Sequence, residues 1–324
     1  MTFTINISKW RWMDHMAAYK TNKMYKVIGK KVLQNWALYL FLLPSAVILL
    51  LLNIIPMYGI QIAFKKFVAN QGIWGSKWIG FSNFSNFFSS YMFSSLIKNT
   101  LAISLYSIVV SFPFPILLAL LLNYCIHPKL KKTTQMVTYA PHFISTVVLI
   151  GMINVFFSSE GLVNTVTELL GGSKVSYLES PSIFRHLYVW SHIWQRTGYN
   201  SVIYIAALSG ISMEIHEAAI VDGANKLQRA VHIDLPSILP TAVILLIMST
   251  GNVLSVGYEK VYLMQNDLNL SASEIISTYV YKIGLANAQY SYSTAIGLFN
   301  NVVNVIILMT VNKIADKLSG SALL

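Results

Sequence analysis

Glu214-Ile215-His216-Glu217-Ala218-Ala219-Ile220-Val221-Asp222-Gly223-Ala224-Asn225-Lys226-Leu227-Gln228-Arg229-Ala230-Val231-His232-Ile233-Asp234-Leu235-Pro236 is a polar island between two apolar runs of membrane length. Ser212 is a natural N-cap for this stretch, and Glu214 sets an acid in the first turn, where the helix dipole favours it. Ile215, Ala218 and Ala219 then fall on one helical face. Asp222-Gly223 breaks the pattern, because glycine takes the left-handed conformation that ends a helix. A second short helix is expected from Ala224 to about His232, with Asp234 and Pro236 opening the next apolar run. The sequence therefore predicts helix, tight turn, helix, lying at a membrane surface.

The flanks fix which surface. Hydrophobic residues are 55% of the 324 positions and charged residues only 11%, against roughly 25% charged in soluble domains. Crossing a bilayer takes about 20 apolar residues, and six runs qualify: about 36–60, 97–123, 135–157, 186–210, 237–257 and 293–314. The fold class expected is an all-α integral membrane protein of six spans. A net charge of +11 invites a nucleic-acid reading, but the distribution of the charges argues against one. With the N-terminus inside, fourteen of the twenty-three Lys and Arg residues fall in inner segments. Such an excess orients membrane proteins, so both termini and the 211–236 loop are expected in the cytoplasm, and no nucleic-acid partner is expected.

The chain divides into a basic tail at 1–35, a membrane domain at 36–318 and a short C-terminal tail at 319–324. The tail lacks the apolar stretch and cleavage site of a secretory signal, so the first span is expected to serve as an uncleaved one. Its Trp10, Trp12 and Met13 among lysines suit contact with anionic membrane lipid, as they suit a plain basic tail. The outer segments at about 64–96, 158–185 and 258–292 are long and aromatic, which fits an external partner or simple packing over the bundle. Pro44, Pro56, Pro113, Pro115 and Pro141 mark the first three spans as sites of bending. Cys125 has no second cysteine to pair with, and the histidines show no metal-ligand spacing.

Taken together, Glu217-Ala218-Ala219, Asp222-Gly223-Ala224 and Leu235-Pro236, placed between two spans, resemble the cytoplasmic coupling loop of permease subunits of binding-protein-dependent sugar importers. Ile55-Pro56-Met57-Tyr58-Gly59, Trp78-Ile79-Gly80-Phe81-Ser82-Asn83-Phe84, Asn99-Thr100, Tyr139-Ala140-Pro141-His142-Phe143 and Gln289-Tyr290-Ser291-Tyr292-Ser293 are similar to the branch that imports oligosaccharides released from polysaccharides. The resemblance implies a MetI-like permease bundle in a bacterial cytoplasmic membrane. It also implies a second, homologous permease, a homodimeric cytoplasmic ATPase and an extracytoplasmic solute-binding protein. No Gly-x-x-x-x-Gly-Lys-Ser/Thr loop is present, so ATP and Mg are assigned to the partner ATPase and no enzyme activity to this chain.

For the path of the solute, the fourth span supplies aromatic and hydrogen-bonding groups: Trp194, Gln195, Arg196, Tyr199, Asn200 and Tyr204. In the related maltose permease the corresponding helix contributes to the sugar site. Asn252 and Asn300 in the last two spans are further candidates. An arginine inside a span costs about 2.5–3.5 kcal/mol on insertion scales and so faces a cavity or a partner. Arg196 can receive a carboxylate in a bidentate fork, which suits an acidic, uronate-containing oligosaccharide; pairing with a protein acid is the other reading. The alternative from another class, an ion-coupled secondary transporter of a small solute, calls for acids inside the spans, and those are scarce.

Overall fold

The computed structural model describes residues 34–251 and 253–319. The 1–33 part of the basic tail, positions 320–324 and the path candidate Asn252 lie outside the described residues. Chain contacts divide the protein into Met1–Ile60 and Gln61–Leu324. In the first unit, α1 (Trp36–Leu49) carries Pro44 inside it and passes into a π-helical turn at Leu50–Ile54 and then a 3-10 segment from Ile55. The proline removes a backbone donor, and the ladder widens and then tightens beyond it.

Among the described residues, four helical stretches are long and apolar enough to cross a membrane: Trp36–Phe64, Met92–Asn123, Lys226–Thr250 and Tyr290–Lys317. Two bent pairs, Pro128–Phe143 with Thr146–Phe156 and Pro181–Ser209 with Met213–Val221, bring the number to six when each counts as one span. The second span is α2 (Met92–Ser111) and α3 (Pro113–Asn123), parted at Phe112 where Pro113 opens a new first turn. The third is α4 (Pro128–Tyr139) and α5 (Thr146–Phe156), turned by 100°. The sequence predicts one run at 135–157. Instead, Pro141 is buried in a 3-10 turn, Ile144 is extended, and the Ser145 hydroxyl accepts from the Val148 N–H to begin α5. The fourth span, α6 (Pro181–Ser209), is longer than expected, at 29 residues.

Packing follows small and polar residues as much as apolar ones, as expected where lipid supplies little hydrophobic drive. Ile103, Leu149, Ile153, Phe184, Tyr188 and Val261 form one cluster, and Ile116, Tyr204, Leu208 and Ile238 another. Asn99 ties α2 to the segment before the last span: its Nδ2 donates to the Ser271 carbonyl at 2.9 Å and the Glu274 carbonyl at 3.1 Å. Its neighbour Thr100 accepts from the Ile276 N–H at 3.1 Å. The segment after the first span contains a two-residue antiparallel ribbon, Lys65–Lys66 with Lys77–Trp78, a small departure from an all-helical chain.

α4 and α6 approach closely at Gly198. A Cβ on Gly198 would stand 2.0 Å from the Thr138 carbonyl oxygen, so only glycine lets the two backbones meet there. Gly198→Ala is expected to force the helices apart and cost about 1–3 kcal/mol or more, read as a lower unfolding temperature in detergent. Gly210→Ala, whose added Cβ meets nothing closer than 3.4 Å, is the control and should change little.

Candidate functional site

The polar island folds as α7 (Met213–Val221), a turn, and α8 (Lys226–Arg229). The Ser212 hydroxyl accepts from the Glu214 N–H at 3.3 Å. At the other end the Ala224 N–H donates to the Ala219 carbonyl at 2.8 Å and the Gly223 N–H to the Ile220 carbonyl at 3.0 Å, with Gly223 at φ 82°. This is the Schellman closure that the Asp222-Gly223 pair predicts. The second helix differs from expectation. It begins at Lys226, because Asn225 and Gln228 form a reciprocal capping box, and it has no break at Asp234-Pro236. A π-helical turn at Ala230–Asp234 carries it into α9 (Leu235–Thr250). Pro236 has no N–H to give, and the Ser237 hydroxyl reaches back to the Ile233 carbonyl at 2.6 Å. Asp234 is therefore no start signal; it is fully buried inside the span.

No residue of α7 is buried. Glu217 and Ala218 are exposed beside Met213, Ile215, Ile220 and Val221, while His216 and Ala219 turn toward the bundle. Asp222, Gly223, Leu235 and Pro236 are exposed and Ala224 half-buried. A short helix with an outward apolar and acidic face is thus held across two spans.

The path candidates on α6 separate by face. Trp194 is half exposed, in line with Trp190 one turn earlier. Gln195 is buried, and its Nε2 donates to the Ile144 carbonyl at 2.9 Å, so it satisfies the acceptor freed where the third span bends. That bend brings His142 to Arg196, whose Nη1 lies 3.2 Å from the His142 Nδ1. A guanidinium only donates, so Nδ1 accepts and the ring proton sits on Nε2. Tyr199 stacks on the same imidazole, with ring centroids 3.7 Å apart. Asn200 and Tyr204 line a cavity of about 280 Å³ with Ser107, Ser111, His192 and Ser249. Asn300 is buried with its Oδ1 unpartnered, whereas Asn304 accepts from the Leu254 N–H at 2.9 Å.

Two residues passed over in the sequence belong to this region. His142, named in the sequence only as part of the Tyr139–Phe143 segment, touches Arg196 and Tyr199. Lys260, in the short helix α10 (Tyr258–Met264), is buried; its Nζ donates to the Tyr188 carbonyl at 3.0 Å and lies over the Tyr188 ring. Its one visible signal is position: with Val261 and Met264 it shares the inward face of a short helix. Arg185, Tyr188, His192 and Arg196 recur at three- and four-residue spacing on α6, so they form one stripe. The ion pairs among the described residues are Lys174–Glu160, His216–Asp234 and Lys282–Glu274. Arg185, Arg196 and Lys260 have no carboxylate partner among those residues. Arg185 instead donates to the Asn99 Oδ1 at 2.9 Å.

With this geometry in hand, the class of protein follows. Residues 111–318 match the family of binding-protein-dependent transport system inner membrane components, and the chain belongs to that family. It is a membrane permease component of a transporter rather than a catalytic subunit. Protein LplB of Bacillus subtilis (strain 168) is 40% identical over 287 residues, covering 88% of this chain and 90% of its own. The polygalacturonan/rhamnogalacturonan transport system permease protein YteP of the same organism is 39% identical over 300 residues, covering 92% and 93%. A crystal structure of a bacterial ABC transporter involved in the import of the acidic polysaccharide alginate contains a chain 37% identical, with a TM-score of 0.84 over 90% of this chain and 99% of that one. A second, of an alginate transporter in complex with an alginate pentasaccharide-bound periplasmic protein, is 36% identical with the same TM-score.

Burial, with the Arg196 charge adding to it, pushes the Lys260 ammonium down to about 7 from 10.5. Between those values the unfolded chain holds a proton that the folded one lacks, so this group makes stability rise with pH, on the order of 1 kcal/mol per pH unit. Lys260→Met removes the buried charge. Its gain in unfolding temperature is expected to be larger at pH 6 than at pH 9.

Proposed function

We propose that this chain is a permease subunit of an ATP-driven importer that conducts acidic, uronate-containing oligosaccharides delivered by an extracytoplasmic solute-binding protein. The observation that carries the substrate class is Arg185 and Arg196 on one stripe of α6, with Lys260 of α10 held against Tyr188 of that stripe, and no carboxylate paired to any of the three among the described residues. Cations left without a counter-ion within a membrane bundle attract anions strongly. A carboxylate on each sugar residue supplies the missing charge in transit. The alginate importer structures and the polygalacturonan/rhamnogalacturonan permease support the same chemistry.

In this reading Arg196 forks onto a sugar carboxylate, and Tyr199 and Trp194 offer faces to sugar rings. Asn200, Tyr204, Asn252 and Asn300 supply neutral hydrogen bonds along the path. Gln195 acts by holding the bend that positions His142. A second, homologous permease completes the bundle. A homodimeric ATPase, which holds ATP and Mg, receives α7 in the cytoplasm, with Glu217 offered to a basic group, Ala218 permitting close backbone approach, and the half-buried Ala219 keeping the helix close to its own bundle. Asp222, Gly223 and Ala224 form its turn, and Leu235 and Pro236 return the chain to the membrane. ATP and the loaded binding protein must each favour a different access state, since a ligand that binds both states equally shifts nothing.

Two measurements in a complex reconstituted with its partners test this. Binding-protein-stimulated ATP hydrolysis should be lost in Glu217→Arg; uptake driven by an ion gradient without ATP would contradict the reading. Arg196→Gln should lower uptake of an acidic oligosaccharide about tenfold, as loss of a charged hydrogen bond implies, and spare its carboxyl-reduced counterpart. Equal losses for both would remove Arg196 from carboxylate recognition.

A further inference from the structure

The outward helix α7 is joined to the bundle by two bends. It leaves α6 at 74°, and it reaches α8 through the left-handed Gly223 turn. Two such joints alone would let it pivot when pushed, and the push would be lost. A third connection crosses the gap. The His216 Nε2 lies 3.2 Å from the Asp234 Oδ1, and the Asp234 side chain has no exposure at all.

Asp234 closes the π-helical turn Ala230–Asp234 at the root of the fifth span. Such turns recur at functional positions in helices. Tyr124, just past the end of α3, completes the node: the Arg229 guanidinium stands 5.6 Å over its ring. Burial and then the Asp234 carboxylate push the Tyr124 phenol up to about 12. Three segments thus converge on one buried carboxylate. The bonding there is incomplete: Tyr124 Oη, Arg229 Nε and both Asp234 oxygens are buried without a hydrogen bond of good geometry. A buried charge held this loosely is costly to strip of its partner and has bonds still to make.

We propose that His216 and Asp234 are positioning residues that lock α7 to the root of the fifth span, so that movement of α7 is transmitted to the bundle. The proposal rests on α7 being the ATPase-facing helix. His216 touches neither ATP nor sugar; it acts by denying α7 its own rotation, and Asp234 by anchoring His216 to α9.

The test uses the full complex with partner permease, ATPase and loaded binding protein in vesicles, measuring uptake and ATP hydrolysis together. His216→Leu should cut uptake about tenfold while ATP hydrolysis falls less than twofold, with ATPase co-purification and unfolding temperature little changed. His216→Gln keeps an N–H donor and should restore most of the uptake. Asp234→Asn should resemble His216→Leu, and the double variant should be no worse than either single, as for residues acting as one unit. Parallel loss of uptake and hydrolysis, multiplying losses in the double variant, or Gln no better than Leu would overturn the proposal. So would failure of His216→Leu to assemble, since the contact would then be structural only. Glu217→Arg is run alongside. If it leaves stimulated hydrolysis and uptake at wild-type levels, the ATPase-facing reading fails; if it abolishes stimulated hydrolysis while His216→Leu leaves uptake and hydrolysis coupled, only the lock fails.

Discussion

Within a bilayer every backbone acceptor must be satisfied by the protein itself, and that constraint organises this molecule. The third span bends by 100° after Pro141, which frees the Ile144 carbonyl. Gln195 takes it at 2.9 Å, and it can do so because Gly198, one turn on, lets α6 lie against the Thr138 carbonyl. Once that contact is made, the bend has one place to go. It sets His142 between Arg196 and Tyr199, so the most unusual charge of the membrane domain is oriented by a repair of backbone bonding.

The same helix then links charge to motion. α6 carries the cationic stripe, and its C-terminal end turns into α7. A displacement of α7 therefore bears on the helix that holds the stripe, while α9 is engaged through the Gly223 turn and Asp234. Keeping unpaired cations in low dielectric is unfavourable. The cost is shared among weak compensations: Arg196 gives a hydrogen bond to imidazole, Arg185 to Asn99, and Lys260 to a backbone carbonyl and a tyrosine face. None of these neutralises a charge, and an anion entering among them would.

Much of the local structure was legible in the sequence because its physics is local. The Ser212 cap, the α7 helix and the Gly223 closure depend on neighbours a few residues apart, and they stand as the residue types imply. The helix after the turn was misjudged in its extent. Asp234 and Pro236 resemble a start signal, but the stronger local signal was Asn225 with Gln228, three residues on. The bend of the third span was written in Pro141, yet its angle depends on Gln195 and Gly198, more than fifty residues away. Arg196 was visible as an anomaly of charge in an apolar run. Lys260 was not, because its segment reads as an ordinary outer loop, and its burial against Tyr188 arises only from tertiary packing. The contacts of His142 are hidden in the sequence for the same reason: a lone histidine acquires meaning from what is folded against it.

A sugar carboxylate meeting the stripe on α6 would supply the charge that this bundle lacks. The direct measurement is a structure of the assembled transporter held with a non-hydrolysable ATP analogue and a binding protein loaded with a uronate oligosaccharide. An oligosaccharide carboxylate is expected within hydrogen-bonding distance of the Arg196 guanidinium, with the sugar between α6 and the partner permease. Arg196 paired instead to a carboxylate of the partner permease, with the sugar bound away from α6, would contradict it.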